Sequence, residues 1–380
     1  MRILYLAEDY IGTMVHHNLC NQLVHCKDSL NDVVLYCYNR KSNAHLDKRD
    51  KYGAIDYSAI VNDFKGSEFR YRFDFLYKKK KKLADLLSMV DPSSINVTHA
   101  ATLFSEGIIA YELNKRYGIP YTVGVRGTDV SLYLKYMFHL WPIGRKILQN
   151  ASKVIFIAEH IRLKVLSSRM VDSIADDIRV KSVIEHNGID EYWIEHWCEK
   201  KPIEQASKII YIGRFDSNKN VERLMDAVKM INDDGRNVHL TLIGGGAERH
   251  DAVVARCESQ PELYSFVGPI YDKDKLSKAL RESDVFAMVS HKETFGLVYI
   301  EAMSQGLPVL FSKGQGIDGI FTIKTGEAVD SYNVLDIKRG LSALIENYQT
   351  YVGIGDKIKE FSWKQVAERY IDIFDLIAKK

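Results

Sequence analysis

The sequence predicts an α/β protein with two doubly wound parallel sheets, and three observations support this fold class. The chain has 380 residues, which fits two domains because a typical domain has about 150 residues. Hydrophobic residues make up 46% of the chain and charged residues 27%, a balance that allows a chain to bury a core. Short apolar runs alternate with longer amphipathic segments from end to end, and this is the order of βαβ units.

Apolar runs rich in β-branched residues mark the predicted strands of both halves. They are nearly continuous, as expected for parallel strands that helices cover on both faces. The first half contains Ile3–Ala7, Val33–Tyr38, Ile95–His99, Pro120–Val125 and Val154–Ala158. The second half begins near residue 206 and contains Ile209–Ile212, Val238–Ile243, Ser265–Gly268, Val285–Val289 and Pro308–Phe311. In such sheets, ligands bind at the carboxyl ends of the strands.

The composition argues against several classes of protein. The net charge is only +2, so the overall charge does not favour nucleic acid as a partner. The five cysteines form no C-x-x-C, which argues against a disulfide framework and a zinc site. The D-x-D of Asp272 and Asp274 is interpreted as helix capping rather than as a metal site. The N-terminal apolar stretch is too short for a signal peptide, and nowhere do about 18 apolar residues follow one another. We therefore expect a cytoplasmic protein.

The most informative segment joins two predicted strands through a loop and a helix. Glu293 lies in the loop, and Glu301 lies within the helix, so the two carboxylates can face one cleft. The start of the helix offers free backbone N–H groups, at which a phosphate would fit. These groups belong to Phe295, Gly296 and Leu297. Glu301 is placed to accept hydrogen bonds from the two hydroxyls of a ribose. The alternative is that both glutamates are solvated surface residues.

A second segment follows the first strand of the C-terminal half. Gly213 closes this strand, and Arg214 and Lys219 lie in the loop before a helix that Asn220 can cap. An Arg fork and a Lys point charge together would neutralise a diphosphate and stabilise it as a leaving group. The alternative is an ordinary charged loop. The glycine run Gly244–Gly246 lacks the spacing of a dinucleotide site, and we interpret it as a close backbone approach.

Three signatures in fixed order resemble the retaining GT-B glycosyltransferases of family four. They are the G-R-x-x-x-x-K-N loop, the I-G-G-G-A segment, and the pair Glu293 and Glu301 before G-L-P-V. The segments V-T-H-A-A-T-L-F-S-E-G, G-V-R-G-T-D-V and V-I-E-H-N-G-I-D are also similar, so the resemblance covers nearly the whole chain. It implies two Rossmann-like domains facing across a cleft. Residues 1–190 would bind the acceptor, residues 191–361 would bind the nucleotide-sugar, and residues 362–380 would form a helix that packs back on the first domain.

The resemblance also implies roles for single residues of the C-terminal domain. Arg214 and Lys219 would bind the donor diphosphate. Glu301 would bind the ribose, and Glu293 would bind the hydroxyls of the sugar. The donor would further contact Gly245, Ile270 near the base, and the backbone of Phe295, Gly296 and Leu297.

In the N-terminal domain, the resemblance implies that Gly12 lets the first loop approach the diphosphate. His99 would reach the reaction centre and join Arg214, Lys219 and Glu293 as catalytic residues; a structural role at a strand end is the alternative. Arg126 and Asp129 would contact the acceptor or the sugar. The chain departs from the family's pattern at three positions, namely Ala101 in place of a second histidine, Arg126 in place of a histidine, and Asp318 in place of a Gly-Gly-x-x-Glu acid.

The resemblance implies a retaining, metal-independent transfer of a sugar to a glycan or lipid-linked acceptor. The donor would be a UDP- or GDP-linked sugar, with no further cofactor, and the setting would be cell-surface polysaccharide biosynthesis. The alternatives are a sugar phosphorylase or a nucleotide-sugar epimerase on the same fold, and a non-catalytic nucleotide-sugar-binding partner.

One charged segment in the N-terminal half has two interpretations. The aromatic stretch Phe69–Tyr77 runs into the five lysines of Lys78–Lys82. Between Lys65 and Lys82, eight basic residues face two acids. The first interpretation is a patch that contacts anionic lipid at the inner face of the membrane. The second is a buried aromatic strand followed by a solvated helix start.

Overall fold

The computed structural model describes residues 1–26, 31–39, 47–64, 66–67, 69–70, 74–199, 202–351 and 353–378. The chain divides into two compact units. One consists of Met1–Gly188 and Trp363–Lys380, and the other of Ile189–Ser362. The boundaries predicted after residues 190 and 361 lie two residues and one residue from these divisions.

The described residues of the first unit contain seven strands, and those of the second contain six. The strands are β1 (Arg2–Leu6), β2 (Asp32–Asn39), β3 (Ser58–Asp63), β4 (Val97–Ala100), β5 (Tyr121–Val125), β6 (Lys153–Phe156), β7 (Ser182–Ile184), β8 (Lys208–Gly213), β9 (His239–Gly244), β10 (Tyr264–Gly268), β11 (Val285–Ala287), β12 (Val309–Ser312) and β13 (Gly326–Val329). The first sheet has the order β3-β2-β1-β4-β5-β6-β7, and the second has the order β10-β9-β8-β11-β12-β13. All the strand pairs are parallel, as predicted.

The helices connect these strands and cover the sheets. They are α1 (Met14–Val24), α2 (Phe75–Met89), α3 (Gly107–Tyr117), α4 (Trp141–Asn150), α5 (Glu159–Leu166), α6 (Ala175–Lys181), α7 (Glu191–Glu195), α8 (Val221–Asp233), α9 (His250–Ser259), α10 (Lys273–Glu282), α11 (Leu297–Ser304), α12 (Val334–Glu346) and α13 (Trp363–Ala378). Among the residues described, no helix is both long enough and apolar enough to cross a bilayer.

The final helix α13 belongs to the first unit, as predicted. Its apolar face joins α1, β1 and β2 in one hydrophobic core. Trp363 packs directly on Gly188, where a Cβ atom would lie 2.5 Å from the indole. Burying such a stripe of large side chains contributes roughly 1.5–3 kcal/mol for each of them, so the helix is fixed to this unit by its own sequence pattern.

Three short strands were not among the predicted elements. β3 is an edge strand, and most of its residues are exposed or only partly buried, so it lacks a continuous apolar run. β7 has only three residues. β13 begins at Gly326, where a Cβ atom would lie 2.0 Å from the Val309 carbonyl oxygen. These strands are set by neighbouring strands more than by their own composition.

The glycine run after β9 makes the predicted close backbone approach. Gly244 has φ +120°, and a Cβ atom there would lie 2.0 Å from the Gly213 carbonyl oxygen. The Gly245 N–H donates to the same carbonyl over 3.1 Å. Only glycine combines this positive φ with so short a separation. The ends of β8 and β9 can therefore meet at the edge where the loops of the second sheet gather.

Candidate active site

The loops after β8 and β11 bring two predicted site residues into direct contact. The Lys219 ammonium donates to a Glu293 carboxylate oxygen, Oε2, over 2.7 Å. Both side chains are largely buried, with exposed fractions of 23% and 14%. An ion pair shielded in this way holds the two side chains in place. Two residues that lie 74 positions apart in the sequence thus form one charged pair at the carboxyl ends of the strands.

Asn218 holds these two loops together. The Lys292 N–H donates to the Asn218 side-chain oxygen over 3.0 Å, and the Asn218 amide donates to the Lys292 carbonyl over 2.9 Å. In addition, the His291 N–H donates to the Asn218 carbonyl over 2.8 Å. One residue therefore fixes the backbone next to Lys219 against the backbone next to Glu293. The sequence gives no sign of this role, because an asparagine in a polar loop is ordinary.

Asn220 does not cap α8 with its side chain, which corrects the prediction. It occupies the N-cap position with φ 57°, and its side chain makes no capping hydrogen bond. Instead, its amide donates to the carbonyls of Val289 and Ser331, over 3.1 and 2.8 Å. The side chain is turned away from the helix because it satisfies two buried carbonyls of neighbouring loops.

Helix α11 begins at Leu297, two residues after the predicted start, with Gly296 as its N-cap. Gly296 has φ +78°, and a Cβ atom there would lie 2.6 Å from the Tyr299 ring and 3.1 Å from Cγ of Glu293. The left-handed backbone and the short distances both require glycine. The first N–H groups of α11, those of Leu297 and Val298, have no carbonyl one turn before them. They and the helix dipole form a site that favours an anion.

Glu301 lies one turn further along α11, about 6 Å from its first residue at 1.5 Å per residue. Within the described residues, no hydrogen bond to its carboxylate is found, although the side chain is partly buried. Burial raises the pKa of Glu301 to about 7; the nearby carboxylate of Asp190 also raises it, and Lys273 lowers it. Leaving such a group without a partner costs stability. This pattern is typical of a side chain that serves a ligand.

The other predicted donor contacts follow neighbouring strands of the same sheet. Arg214 follows β8, its side chain is 73% exposed, and its Nε atom lies 3.7 Å from Asp216 Oδ2. Gly245 follows β9, and Ile270 follows β10 and is partly buried. Because parallel strands end at one edge, these residues lie at the same edge as Lys219. Little of the Arg214 side chain is packed against the protein.

His99 lies in the interior of the first unit, and its role at the reaction centre stays a prediction. It is fully buried in β4, and its Nδ1 atom lies 2.7 Å from the Thr122 hydroxyl. Its ring packs against Tyr5, Tyr370 and Phe374. Burial lowers the pKa of His99 well below its usual value, so the imidazole is neutral. The Nε2 atom of His99 is buried and has no hydrogen-bond partner among the described residues, so the Thr122 contact satisfies only one of the two ring nitrogens.

Asp129 lines a cavity of the first unit together with Gly12, and its contact with acceptor or sugar stays a prediction. Its carboxylate is buried and accepts the backbone N–H groups of Arg126, Leu103 and Phe104, over 2.9, 3.2 and 3.3 Å. Burial raises its pKa to about 6. The Arg126 guanidinium donates to the Ala101 carbonyl over 3.0 Å. Together the two residues organise the loops after β4 and β5, and their polar atoms are largely committed to the protein.

Gly12 lines a cavity of about 250 Å³ in the first unit. The cavity also contains carboxylates that the sequence reasoning did not single out, at Glu8, Asp9 and Glu106. Glu106 accepts the Glu8 N–H over 3.0 Å, and burial raises its pKa. The sequence positions of these carboxylates do not indicate a cluster. The loop after β1 and the loop after β4 come together only in the folded chain.

The lysine run is partly paired within the protein, so the membrane interpretation, which stays a prediction, depends on Lys80 and Lys81. Lys78 and Lys82 both lie within ion-pair distance of Glu8 Oε2, at 3.0 and 3.1 Å. Lys79 lies 3.0 Å from Glu112 Oε1. Three of the five lysines therefore neutralise carboxylates of the protein itself. Parts of the proposed patch lie outside the described residues, namely Lys65 and residues 71–73.

The two parallel-sheet α/β units in the described part of the chain have the GT-B architecture, as predicted. Residues 194–361 match the family model described as glycosyl transferases group 1. This match lies within the second unit and supports the predicted resemblance to group 1 glycosyltransferases.

Known proteins resemble the chain along most of its length. Phosphatidyl-myo-inositol mannosyltransferase of Mycobacterium tuberculosis is 25% identical over 341 residues, which cover 84% of this chain and 82% of the relative. Two solved structures share the fold. The apo lipopolysaccharide outer core galactosyltransferase WaaB has a TM-score of 0.72 at 16% identity, covering 99% of each chain. Anabaena Alr3699/HepE in complex with UDP has a TM-score of 0.71 at 15% identity, covering 99% of this chain and 100% of that one.

Proposed function

We propose that the protein is a retaining glycosyltransferase that moves a sugar from a UDP- or GDP-linked donor to a glycan or lipid-linked acceptor without a metal ion. The observation that carries the proposal is the carboxylate of Glu301, which is partly buried and without a hydrogen-bond partner in the described part of the chain. It lies one turn from the anion-binding start of α11. The hydroxyls of a ribose need a hydrogen-bond acceptor, and the attached phosphates need an anion-binding site. The Glu301 carboxylate and the start of α11 provide these two features one helical turn apart.

In this proposal, each side chain of the second unit binds a different part of the donor. Glu301 accepts hydrogen bonds from the two ribose hydroxyls, and the start of α11 binds a phosphate. Arg214 is free to fold over the diphosphate because most of its side chain is exposed. Lys219 moves from Glu293 to the diphosphate, and Glu293 then accepts hydrogen bonds from the sugar. The ion pair of 2.7 Å thus holds both groups close to their proposed positions.

The chemical step follows from these charges. The bond between the anomeric carbon and the diphosphate oxygen breaks, and the acceptor oxygen bonds to that carbon on the same face. The proton of the acceptor hydroxyl passes to the leaving diphosphate. Lys219, Arg214 and the helix dipole stabilise the negative charge that develops on the leaving group. This front-face route needs no protein nucleophile, and the Asp129 carboxylate already accepts three backbone N–H groups of the first unit.

The comparisons support the substrate classes of the proposal. The mycobacterial relative is named for transfer of mannose to phosphatidyl-myo-inositol, and the Anabaena neighbour binds UDP. WaaB is named for the outer core of lipopolysaccharide. We therefore place the protein in the synthesis of cell-surface glycans from the cytoplasmic side. Lys80 and Lys81 are the two exposed lysines that could still contact a membrane there.

The test is a transfer assay with UDP-glucose, UDP-galactose and GDP-mannose in the presence of EDTA. Acceptor glycosides and lipid-linked sugars are supplied, and proton NMR reads the anomeric configuration of the product. The proposal predicts an acceptor-dependent product with the configuration of the donor. Conversion of the donor without an acceptor, or turnover that requires phosphate, would instead show an epimerase or a phosphorylase.

A further inference from the structure

A second cavity, of about 700 Å³, opens in the second unit. It lies at the end of β8 and β11 and beside the first turns of α8, and its walls do not include Arg214, Lys219, Glu293 or Glu301. Ligand sites commonly have volumes of about 300–1,000 Å³. We call this cavity the outer groove. It is large enough for a saccharide and is separate from the residues assigned to the donor.

The outer groove has an aromatic platform. Tyr332 is 65% exposed, and its ring stacks on His291 with centroids 4.1 Å apart and planes 11° apart. The two imidazole nitrogens of His291 lie 3.1 Å from the Ser331 hydroxyl and 3.2 Å from Arg223 Nη1. The tyrosine ring is therefore held in one orientation although it faces solvent. A fixed, exposed aromatic surface is suited to the C–H face of a sugar ring.

The charges of the outer groove favour an anion. The two carboxylates that line it already form ion pairs, Glu222 with Arg249 at 3.5 Å and Asp226 with Arg256 at 2.6 Å. Arg223 and Lys292 have no carboxylate within ion-pair distance in the described part of the chain. The Arg223 guanidinium donates from Nη1 to the Asn220 side-chain oxygen over 2.9 Å. Its remaining N–H groups match the oxygens of a carboxylate or a phosphate.

We propose that the outer groove binds a sugar that carries a carboxyl or phosphoryl group. The ring lies on Tyr332, the anion lies between Arg223 and Lys292, and the side chains of Ser217 and Asn218 receive the hydroxyls. This site goes beyond the donor site and does not depend on it. Its occupant contacts the two loops that carry Lys219 and Glu293, because Asn218 and Lys292 belong to both the groove and those loops.

Saturation-transfer difference NMR and titration calorimetry on the full chain test this proposal. The probes are trigalacturonic acid, glucose 6-phosphate, neutral maltotriose and inorganic phosphate. We expect at least one charged sugar to bind tenfold or more tightly than maltotriose and than phosphate alone. Saturating UDP should not displace it, so this result stays separate from any failure at the donor site. If both charged sugars bind, the groove accepts either anion on a sugar; if only one binds, that probe identifies the preferred kind of charged sugar.

Matched variants locate the binding. Tyr332→Ala and Lys292→Gln should each weaken binding of the charged sugar at least fivefold and leave the thermal midpoint of unfolding unchanged, since both side chains project from loops. The control is Tyr271→Ala, because Tyr271 is 89% exposed on the same unit and lies outside the groove. The proposal is overturned if none of the sugars binds, if maltotriose binds equally well, if UDP competes, or if Tyr332→Ala binds like the wild type.

Discussion

Replacing Glu301 with glutamine should stabilise the fold while it weakens nucleotide binding. Burial raises the pKa of this carboxyl from its ordinary value of 4.5 to about 7. A carboxyl with a raised pKa binds its proton more tightly in the folded chain than in the unfolded chain. Stability is therefore lost as the pH rises from 4.5 to about 7. Above about pH 7, ionisation of Glu301 lowers the free energy of unfolding by ~3 kcal/mol, at 1.36 kcal/mol for each pKa unit.

Glu301→Gln removes this penalty because its amide does not ionise. The variant should match the wild type in free energy of unfolding near about pH 4.5 and exceed it by up to ~3 kcal/mol near about pH 8. Urea unfolding of both proteins at the two pH values, followed by circular dichroism, measures the difference. The control is Glu258→Gln, since Glu258 is an exposed glutamate of α9. A stability difference that is absent, or that is the same at both pH values, would refute the reasoning.

The same substitution should weaken binding of the nucleotide at least tenfold. Hydrogen bonds to a charged acceptor contribute about 1.5–3 kcal/mol each, and the proposed ribose contact has two. A variant that is more stable yet binds less well is the signature of a residue kept for function at a cost in stability.

Three further predictions concern the loops and the lysine run. Lys219→Met should lower turnover at least a hundredfold, because the leaving diphosphate loses a cation and Glu293 loses its partner; a normal rate constant would contradict this. Asn218→Ala should lower turnover about tenfold with little change in nucleotide affinity. The reason is that the two loops lose two hydrogen bonds of about 1 kcal/mol each. Asn218→Asp keeps the acceptor oxygen and should recover part of the lost turnover. Changing Lys80 and Lys81 to glutamine should remove any binding to anionic liposomes seen by sedimentation, and unchanged pelleting would exclude the run as a membrane contact.

The sequence predicts the interior of both sheets well because interior parallel strands are continuous apolar runs. All ten predicted runs overlap strands β1, β2, β4–β6 and β8–β12. The strands that were missed are short or lie at sheet edges, where one neighbour and partial burial replace the apolar run as the determinant. Edge strands are therefore the part of this fold that local sequence specifies least.

Sequence motifs predict those site residues that belong to one local segment. They do not predict residues whose partners come from distant parts of the chain. The loop and helix residues Lys219, Glu293 and Glu301 come from local motifs, and the structure places them at one sheet edge. Asn218 has no such motif, because its partners lie in another loop. The local sequence suggests a catalytic role for His99. In the structure, Tyr370 and Phe374 of α13 pack against its ring, and α13 comes from the other end of the chain.

The lysine run shows the same limit for charges. Five adjacent lysines suggest a patch, yet three of them pair with carboxylates in the loop after β1 and in α3. Glu8 and Glu112 are distant in sequence, so no local pattern indicates that they neutralise the run. Charge patterns predict a surface only when the tertiary partners of each charge are known.

The central claim is that the second unit binds a nucleoside diphosphate through Glu301 and the start of α11. Isothermal titration of UDP, GDP and ADP against the wild type, Glu301→Gln and the control Glu258→Gln, in EDTA and then in magnesium, tests it most directly. We predict that one nucleotide binds to the wild type and to the control in EDTA, and that Glu301→Gln weakens its binding at least tenfold. Absence of binding by all three nucleotides, or equal binding by Glu301→Gln, would contradict the claim.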